Sequence, residues 1–435
     1  MSVTLHTAIN LAANAWSHMR DDGYSLERAL LLSCYGCTSE EKAAVQSLLY
    51  TTTRNWAKLN ILLPKLVSRE PSAEVQSILD VALSLLMKDG EREFTVVDQA
   101  VRAAKASQQT AFASGFINAV LRNFLRNKTR LLASMRTNLN CQFNAPGWWI
   151  SKIRKDYPQQ WQSILKTQTL PPPLTLRVNL RKSTVAEYLN LLKESQISGT
   201  QIGKCAVVLD RPYPVHLIPG FDSGIVSVQD AGSQLIPELI QLKDGDHILD
   251  ACCAPGGKTA HMLESANVKV TAVEIDPERA KKIEQTLSRL GLKADILVQD
   301  ANDIVTLGKH GPFDTIVLDA PCTASGIVRR HPDIPWSRRP EDIRRLASQQ
   351  QALLNSMWKL LPQGASLLYV VCSIFPEEGP LQIERFLQEN EDAHLLELPN
   401  FGRYARLLPT HTVDETGVSV DVHDGFFYAL LRKES

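Results

Sequence analysis

The stretch Asp250-Ala251-Cys252-Cys253-Ala254-Pro255-Gly256-Gly257-Lys258-Thr259 decides the fold of the second half of the chain. It follows an apolar run and opens a helical pattern, and its adjacent glycines let the backbone approach a ligand closely. The spacing matches neither G-x-G-x-x-G nor G-x-x-x-x-G-K-[ST], the dinucleotide and nucleoside triphosphate motifs. A glycine pair beside Lys258 therefore suits a ligand that has a carboxylate and a ribose but no phosphate chain. The residues predicted to line this ligand are Cys252, Cys253, Ala254, Pro255, Gly256, Gly257 and Lys258, with Lys258 meeting the carboxylate.

Short apolar runs alternate with helical patterns from about residue 226 onward. The helical patterns are clearest over 277–290 and 340–361. This alternation predicts an α/β fold, a doubly wound Rossmann-like domain. The runs predicted as strands are 247–252, 269–276, 295–300, 313–319, 366–372 and 426–431.

Acidic residues stand at or near the ends of the second and third predicted strands. Glu274 lies about 20 residues after the glycine loop, where an acidic residue hydrogen-bonds ribose hydroxyls. Asp276 is two residues further along and competes for that role, although its place before Pro277 also fits a helix N-cap. Asp300 ends the third predicted strand, where it could meet an adenine amino group. The ligand that fits this set of groups is S-adenosylmethionine.

Two cysteines follow the next two predicted strands: Cys322 in Asp319-Ala320-Pro321-Cys322, and Cys372 in Val371-Cys372-Ser373. In an open α/β sheet these strand ends are neighbours and face the ligand crevice. Cytosine C5 is a poor nucleophile, but a thiolate that adds to C6 makes C5 enamine-like and able to take a methyl group. This chemistry needs a nucleophile, a proton donor near the ring nitrogen and a base, roles that Cys372, Asp319 and Cys322 could fill. The alternative is a pair of buried structural thiols.

Helical periodicity dominates the N-terminal part of the chain. Apolar residues recur on one helical face from Ser72 to Met87, with Asp89-Gly90 as the expected stop. Segment 40–63 contains neither glycine nor proline and predicts a single helix. Another stripe, which we interpret as core rather than as a binding platform, consists of Phe112, Phe116, Ala119, Val120 and Phe124.

The region that follows changes in pattern and in charge. A strand-like run at 174–179 and a helical run at 184–194 predict a small α+β module. Residues 101–182 contain 14 Lys and Arg but one acidic residue, Asp156, although the whole chain has a net charge of zero. A block this one-sided predicts contact with a phosphate backbone, the alternative being a solvated basic face.

Composition argues against several other classes of protein. No apolar run approaches the roughly 18 residues of a membrane span, and Met1 to Trp16 lacks the pattern of a secretory signal. Eight cysteines among 435 residues do not indicate a disulfide framework, so we expect free thiols and a reducing cytoplasm. Cys34-x-x-Cys37 has metal or redox spacing, but no second pair or histidine lies nearby. We interpret it as core and expect no metal site.

The motifs also carry a resemblance to a known family. Residues 319–326, Arg329-Arg330-His331-Pro332-Asp333, and Cys372-Ser373 with Pro376-Glu377-Glu378 are similar to the NOP2/Sun family of RNA cytosine-5 methyltransferases. Loop 254–259 matches the cofactor motif of that family. Upstream, Phe116-Ile117-Asn118-Ala119-Val120-Leu121-Arg122 resembles the NusB-like RNA-binding fold. A NusB-like domain fused to this type of methyltransferase is the arrangement of a bacterial group that modifies 16S ribosomal RNA.

The resemblance implies three domains and a division of labour at the site. Residues 1–132 would form an all-helical NusB-like RNA-binding domain, 133–225 a basic linker with a small α+β RNA-binding module, and 226–435 the methyltransferase domain. Cys372 would be the nucleophile, Cys322 would assist proton removal and product release, and Asp319 would contact the base and the cofactor region. Base flipping is implied, because the cytosine must leave its stack. The residues expected to hold flanking phosphates are Arg329, Arg330 and His331.

The implied function is methylation of C5 of a cytosine in 16S ribosomal RNA, the small-subunit RNA, by a cytoplasmic monomer with S-adenosylmethionine as cofactor. Two alternatives stay open: the same chemistry on transfer RNA, and a non-catalytic RNA-binding or assembly factor. Cys253 departs from the alanine commoner at its position in the family, which leaves its role open as well.

Overall fold

The computed structural model describes residues 4–88, 92–413 and 419–434, and the chain divides into two compact units. The first unit consists of Met1–Thr169 and the segment Val328–Arg339. The second consists of Leu170–Ile327 and Pro340–Ser435. The two compact units are thus divided after Thr169, and the later segment Val328–Arg339 belongs to the first of them. The predicted boundaries of three domains, after residues 132 and 225, stay a prediction.

The first unit is helical, as the periodicity predicts. Nearly every residue of its fifth helix is buried, because apolar and small residues occur on all sides of that helix. The predicted stop of this helix at Asp89-Gly90 lies outside the described residues. The helices up to residue 169 are α1 (Leu5–Arg20), α2 (Leu26–Ser33), α3 (Ser39–Thr53), α4 (Trp56–Leu66), α5 (Ala73–Leu86), α6 (Glu93–Lys105), α7 (Ser114–Ala133), α8 (Leu139–Phe143), α9 (Gly147–Asp156) and α10 (Trp161–Thr169).

The prediction of one helix over 40–63 is wrong, because α3 ends at Thr53 and α4 begins at Trp56. Asn144 stabilises the break. Its side chain donates to the carbonyl of Thr53 at 2.9 Å and accepts from the N–H of Ala57 at 3.1 Å. These bonds satisfy backbone groups that a helix end leaves without an intrahelical partner. The residue that interrupts the helix lies about 90 positions away in sequence, beyond the reach of any local pattern.

The interpretation of the aromatic stripe before and within α7 as core is also wrong in part. Phe112 is 80% exposed and Phe116 is 40% exposed. Ala119 is exposed as well, whereas Val120 and Phe124 are buried as expected. The buried face of α7 is shifted by one residue from the predicted one, and it consists of Ile117, Val120, Leu121, Phe124 and Leu131.

A small antiparallel sheet opens the second unit and confirms the predicted α+β module. Its strands lie in the order β2-β3-β1-β4. The helix beside them begins with a capping box, in which Thr184 and Glu187 satisfy each other's backbone N–H groups. The elements are β1 (Thr175–Val178), α11 (Val185–Glu194), β2 (Gly199–Gln201), β3 (Ala206–Leu209) and β4 (Val226–Val228).

The rest of the chain alternates between strands and helices. Helix α16 belongs to the segment assigned to the first unit, and the other elements belong to the second. The elements are α12 (Ile236–Ile240), β5 (His247–Ala251), α13 (Gly257–Ser265), β6 (Lys269–Glu274), α14 (Pro277–Leu290), β7 (Asp295–Val298), α15 (Ile304–Gly308), β8 (Thr315–Asp319), α16 (Ile334–Ser337), α17 (Pro340–Leu360), β9 (Ser366–Val371), α18 (Pro380–Glu389), β10 (Ala393–Leu396), β11 (Ala405–Leu407), β12 (Thr410–Val413), β13 (Ser419–His423) and β14 (Phe426–Lys433).

The large sheet confirms the predicted doubly wound α/β fold. Its order is β10-β14-β9-β8-β5-β6-β7, with β11 also paired to β14. Strands β5 to β9 are parallel, and β14 runs antiparallel to β9. From β5 the chain first builds the sheet toward β7 and then returns to add β8 and β9 on the other side. The order therefore reverses between β5 and β8, and a crevice at their carboxyl ends is the expected place for a ligand.

Candidate active site

The glycine loop connects the end of β5 to the start of α13. Cys252, directly after β5, has φ of 61°, and Gly256 has φ of 91°. A Cβ on Gly256 would lie 3.0 Å from Cγ2 of Ile283, so both the backbone angle and the space favour glycine. Helix α13 begins at Gly257. Its unpaired N–H groups and its dipole favour a negatively charged ligand group at this loop.

The thiols of the two loop cysteines have raised pKa values in this geometry. The backbone N–H of Cys253 donates to the carbonyl of Val273 at 3.1 Å, and its thiol donates to the same carbonyl at 3.3 Å. Burial raises the pKa of Cys252 to about 12 and raises the pKa of Cys253 as well. Both thiols therefore stay protonated at neutral pH, and Cys253 fastens the loop to β6.

The acidic residues at and just after the end of β6, Glu274 and Asp276, have different partners. Asp276 caps α14, because its carboxylate accepts from the N–H groups of Glu278 at 2.8 Å and Arg279 at 3.2 Å. Glu274 is 2% exposed, and its Oε2 lies 3.2 Å from Nη1 of Arg279. That oxygen nevertheless accepts no well-aligned hydrogen bond within the part of the chain that the structure describes. Glu274 therefore keeps Oε2 available, while its Oε1 accepts from the backbone N–H of Asp276 at 3.1 Å. Asp276 caps the helix with one oxygen, Oδ1, so the choice between the two residues for ribose binding stays open.

Asp300 lies two residues beyond the end of β7 and is exposed. Its Oδ1 accepts from the backbone N–H of Asn302 at 2.9 Å and from the Asn302 side chain at 3.1 Å. These bonds stabilise the turn after the strand. The predicted contact of Asp300 with an adenine amino group stays a prediction.

Lys258 in α13 pairs with Asp319 at the end of β8. Its Nζ lies 2.6 Å from Oδ2 of Asp319, and both side chains are mostly buried. Burial alone would lower the pKa of Lys258, but the Asp319 carboxylate outweighs it and raises that pKa. Lys258 is therefore a cation at neutral pH with Asp319 as its partner, and its predicted contact with a ligand carboxylate stays a prediction.

Cys322 and Cys372 lie side by side. Strands β8 and β9 pair in parallel with Asp319 opposite Val370, so the loops that follow them begin at the same edge of the sheet. The two Sγ atoms are 3.4 Å apart, and both residues are reduced thiols. The Cys372 thiol and burial raise the pKa of Cys322 well above its ordinary value. The site thus contains two thiols in contact, and the raised pKa keeps the thiol of Cys322 protonated at neutral pH. The ion pair of Lys258 and Asp319 lies at the same edge of the sheet.

The three residues expected to hold phosphates lie in the segment that belongs to the first unit. Arg329 is 1% exposed, and its carbonyl accepts from Nη2 of Arg54 at 3.1 Å. Arg329 is therefore packed into the protein here, and its predicted phosphate contact stays a prediction. Arg330 and His331 are partly exposed, and their phosphate contacts stay predictions.

Two residues near the site were missed by sequence reasoning. Arg279 donates to the carbonyl of Ala254 at 3.2 Å besides its ion pair with Glu274, so it links the loop to the acidic residue. An arginine in the first turn of a helix, where the dipole disfavours a cation, was the available signal. Phe426 places its ring centroid 5.9 Å from Nζ of Lys258. It reaches the site from β14, and no local pattern indicates this.

The structure also bears on the Cys34–Cys37 pair, on metal binding and on membrane-spanning helices. Cys34 is buried in the helical core and Cys37 packs against it, which agrees with the core interpretation. Over residues 4–88, 92–413 and 419–434, no group of three or more His, Cys, Asp or Glu side chains could hold a metal ion. Across the same ranges, each helix is too short or too polar to cross a membrane.

Three family models match successive parts of the chain. The NusB family matches residues 6–126, the ferredoxin-like domain of RsmF/B-like methyltransferases matches 145–216, and the 16S rRNA methyltransferase RsmB/F matches 237–432. Among solved structures, one of PH0851 has 22% identity and a TM-score of 0.79, and the alignment covers 100% of both chains. A methyltransferase homologue from Pyrococcus horikoshii has 25% identity and a TM-score of 0.55, over 68% of this chain and 97% of that one.

A curated relative extends the similarity over nearly the whole chain. The ribosomal RNA small subunit methyltransferase B of Escherichia coli is 37% identical over 435 residues, which is 98% of each protein. The protein of that name from Shigella flexneri is 36% identical over 98% of each. The helical unit, the small sheet and the doubly wound sheet thus follow one another as the three family models do. The chain therefore belongs to the RsmB/F family of 16S ribosomal RNA methyltransferases.

Proposed function

We propose that this protein transfers a methyl group from S-adenosylmethionine to C5 of a cytosine in 16S ribosomal RNA, through a covalent bond between Cys372 and C6. The observation that carries the proposal is the 3.4 Å separation of the Cys322 and Cys372 sulfurs at the ends of adjacent parallel strands. Methylation at a ring nitrogen, at an amino group or at a ribose hydroxyl gives no reason for two thiols in contact. Methylation at C5 needs one group to add to the ring and another to remove a proton.

The proposed sequence of bonds accounts for both thiols. The Cys372 thiolate forms a bond to C6, and the electrons of the C5–C6 double bond move into the ring, which takes up a proton at its nitrogen from the Lys258–Asp319 pair. C5 then bonds to the methyl group, whose sulfonium carrier keeps the electrons of the broken bond. Cys322 first loses its own thiol proton to solvent, and the resulting thiolate removes the C5 proton. The double bond re-forms, Cys372 leaves as a thiolate, and the borrowed proton returns.

The residues around the glycine loop fit the proposed cofactor. S-adenosylmethionine supplies an electrophilic methyl group when bound. Glu274 offers a buried carboxylate oxygen without a well-aligned hydrogen bond, as a ribose hydroxyl requires. The start of α13 at Gly257 offers N–H groups to a carboxylate. Asp300 is the proposed contact for the adenine amino group.

The substrate side of the proposal rests on charge. The basic block at 101–182 attracts a phosphate backbone without regard to sequence. A stacked cytosine cannot reach the two thiols, so the target base leaves its stack. Free thiols are consistent with our proposal of a reducing, cytoplasmic setting.

The direct test is trapping on RNA that contains 5-fluorocytidine, because fluorine at C5 prevents proton removal and leaves the adduct in place. The wild-type protein and Cys37→Ser should form the adduct with 16S RNA in the presence of S-adenosylmethionine, and Cys372→Ser should not. An adduct that persists in Cys372→Ser would overturn the assignment of the nucleophile. Mapping of the methylated position on 16S and transfer RNA distinguishes the two substrates.

A further inference from the structure

A buried carboxylate lies behind the two catalytic thiols. Glu378 ends the short 3₁₀ turn Pro376–Glu378, six residues after Cys372, and its side chain is fully buried. The bond sequence proposed above gives it no part. A carboxylate removed from water is costly unless hydrogen bonds compensate for the lost hydration, so its partners are informative.

The Glu378 carboxylate accepts hydrogen bonds from both loops that carry the cysteines. From the Cys322 loop, Thr323 donates its backbone N–H to Oε1 at 2.8 Å and its hydroxyl to Oε2. From the Cys372 loop, Ser373 donates its hydroxyl to Oε2 at 2.5 Å. The side chain of Gln350 in α17 donates to Oε1 at 3.0 Å. Four donors on two oxygens match what an ionised carboxylate accepts.

Further hydrogen bonds make this arrangement rigid. Tyr369 donates its hydroxyl to the Glu378 carbonyl at 2.8 Å and lies 3.0 Å from Oε1 of Gln350. The hydroxyls of Ser325 and Ser373 are 2.9 Å apart, and the N–H of Gly326 donates to the carbonyl of Cys372 at 3.0 Å. Thr323 and Ser373 directly follow the two cysteines. A shift of Glu378 would therefore move both thiols.

We propose that Glu378 is a positioning residue that ties the Cys322 loop to the Cys372 loop and fixes the spacing of the two thiols. This inference rests on the proposed function, since the spacing matters only if both thiols act on one base. Glu378 touches neither substrate nor cofactor in this role. It acts through Thr323 and Ser373, the neighbours of the reacting cysteines.

The charge of Glu378 also acts on Cys322. It is among the causes that raise the pKa of Cys322, after the Cys372 thiol and burial. The Glu378 carboxylate thus opposes ionisation of Cys322, the thiol that acts second in the proposed bond sequence.

The test compares Glu378→Ala, Glu378→Gln and the control Glu377→Gln, which removes the same charge from the adjacent, partly exposed residue. Glu378→Ala should slow single-turnover methylation by at least about 100-fold, as expected for misplaced reacting groups. Its affinity for RNA should equal that of the wild type. Glu377→Gln should match the wild type throughout.

The Glu378→Gln variant separates the effect of the negative charge from the effect of the hydrogen bonds that join the two loops. The hydroxyls of Thr323 and Ser373 can turn to accept from the new amide, so the loops should stay joined and the protein should fold. Without the negative charge Cys322 ionises more readily, so the ascending limb of the pH–rate profile should move to lower pH. A loss of folding alone would not shift this limb.

The outcomes separate this inference from the proposed function. A wild-type protein that forms no adduct with 5-fluorocytidine RNA overturns the proposed function. A wild-type protein that forms it, together with a Glu378→Gln variant whose pH–rate profile matches the wild type, overturns the inference alone. A Glu378→Ala variant that methylates at the wild-type rate overturns it as well.

Discussion

The ammonium of Lys258 lies 2.6 Å from a carboxylate oxygen of Asp319, and this ion pair joins the glycine loop to the strand that leads to Cys322. Lys258 belongs to α13 on one side of the crevice and Asp319 to β8 on the other. Because both side chains are mostly buried, the pair is screened less than a surface pair and holds each partner in place. The same contact therefore connects the loop proposed to bind the cofactor to the strand that leads to the proposed catalytic cysteine.

Replacement of Lys258 by Met should remove this connection. We expect methyl transfer to fall by about 100-fold or more, because Asp319 would be left as a mostly buried charge without its partner. The matched control is Lys269→Met, which breaks the exposed pair with Asp295 at 3.3 Å and should leave the rate within about twofold. Single-turnover kinetics check both variants, and a wild-type rate for Lys258→Met would contradict the role of the pair.

Replacement of Glu274 by Gln should weaken cofactor binding. A ribose hydroxyl that donates to a charged acceptor contributes about 1.5–3 kcal/mol, so the affinity for S-adenosylmethionine should fall by about 10-fold or more. Asp276→Asn is the control, because asparagine caps a helix as well as aspartate does. Isothermal titration calorimetry measures both. If Asp276→Asn weakened binding and Glu274→Gln did not, the competing assignment would be correct.

Replacement of Asn144 by Ala should destabilise the protein. The Thr53 carbonyl and the Ala57 N–H would lose their partner at the break between α3 and α4, at a cost of about 1–3 kcal/mol. Asn60→Ala, at an exposed position of α4, should be neutral or slightly stabilising. Urea unfolding of both variants gives the comparison, and equal midpoints would show that the break needs no support from Asn144.

Asp80 should make the stability of the protein depend on pH. Its carboxylate accepts from Nε1 of Trp16 at 2.9 Å and pairs with Arg20, yet burial outweighs these contacts and raises its pKa to about 6. Because the pKa is higher in the folded state, the contribution of this group to stability is full below pH 4. It is lost as the pH rises through 6.

Asp80→Asn tests this linkage. Asparagine keeps an acceptor for Trp16 and carries no charge, so the variant should be more stable than the wild type at pH 8 by up to about 3 kcal/mol. The difference should vanish near pH 4. Thermal unfolding at both pH values measures it, with Asp22→Asn, an exposed residue, as the control. A difference that does not change with pH would contradict the raised pKa.

The sequence predicts much of the doubly wound sheet because its signals are local. Apolar runs bounded by acids and glycines indicate β5 to β9, and the Asp276-Pro277 start with Gly291 after the last turn indicates α14 as the structure has it, Pro277–Leu290. Parallel pairing then brings Cys322 and Cys372 to one edge. Strands β10 to β13 were not predicted.

The remainder could not be predicted because distant residues determine it. Asn144 stabilises the break in the helix predicted over 40–63. The buried face of α7 is shifted by one residue from the predicted face, so Phe112 and Phe116 are exposed. The roles inferred for Glu274 and Glu378 depend on which oxygens have partners, which no spacing reveals. The two thiols can be identified in the sequence, whereas the hydrogen bonds that join their loops appear only in the folded structure.

The segment Val328–Arg339 has a consequence for the order in which the protein can fold during synthesis. Within the first unit, its Trp336 stacks on Trp56 with ring centroids 5.3 Å apart, and its Asp333 accepts from the N–H of Leu26 at 3.1 Å. The helical unit therefore cannot be completed from its own 169 residues. The stack of Trp336 on Trp56 can form only after residues 328–339 have left the ribosome, when most of the second unit has already been synthesised. The helical unit is therefore begun first but completed late.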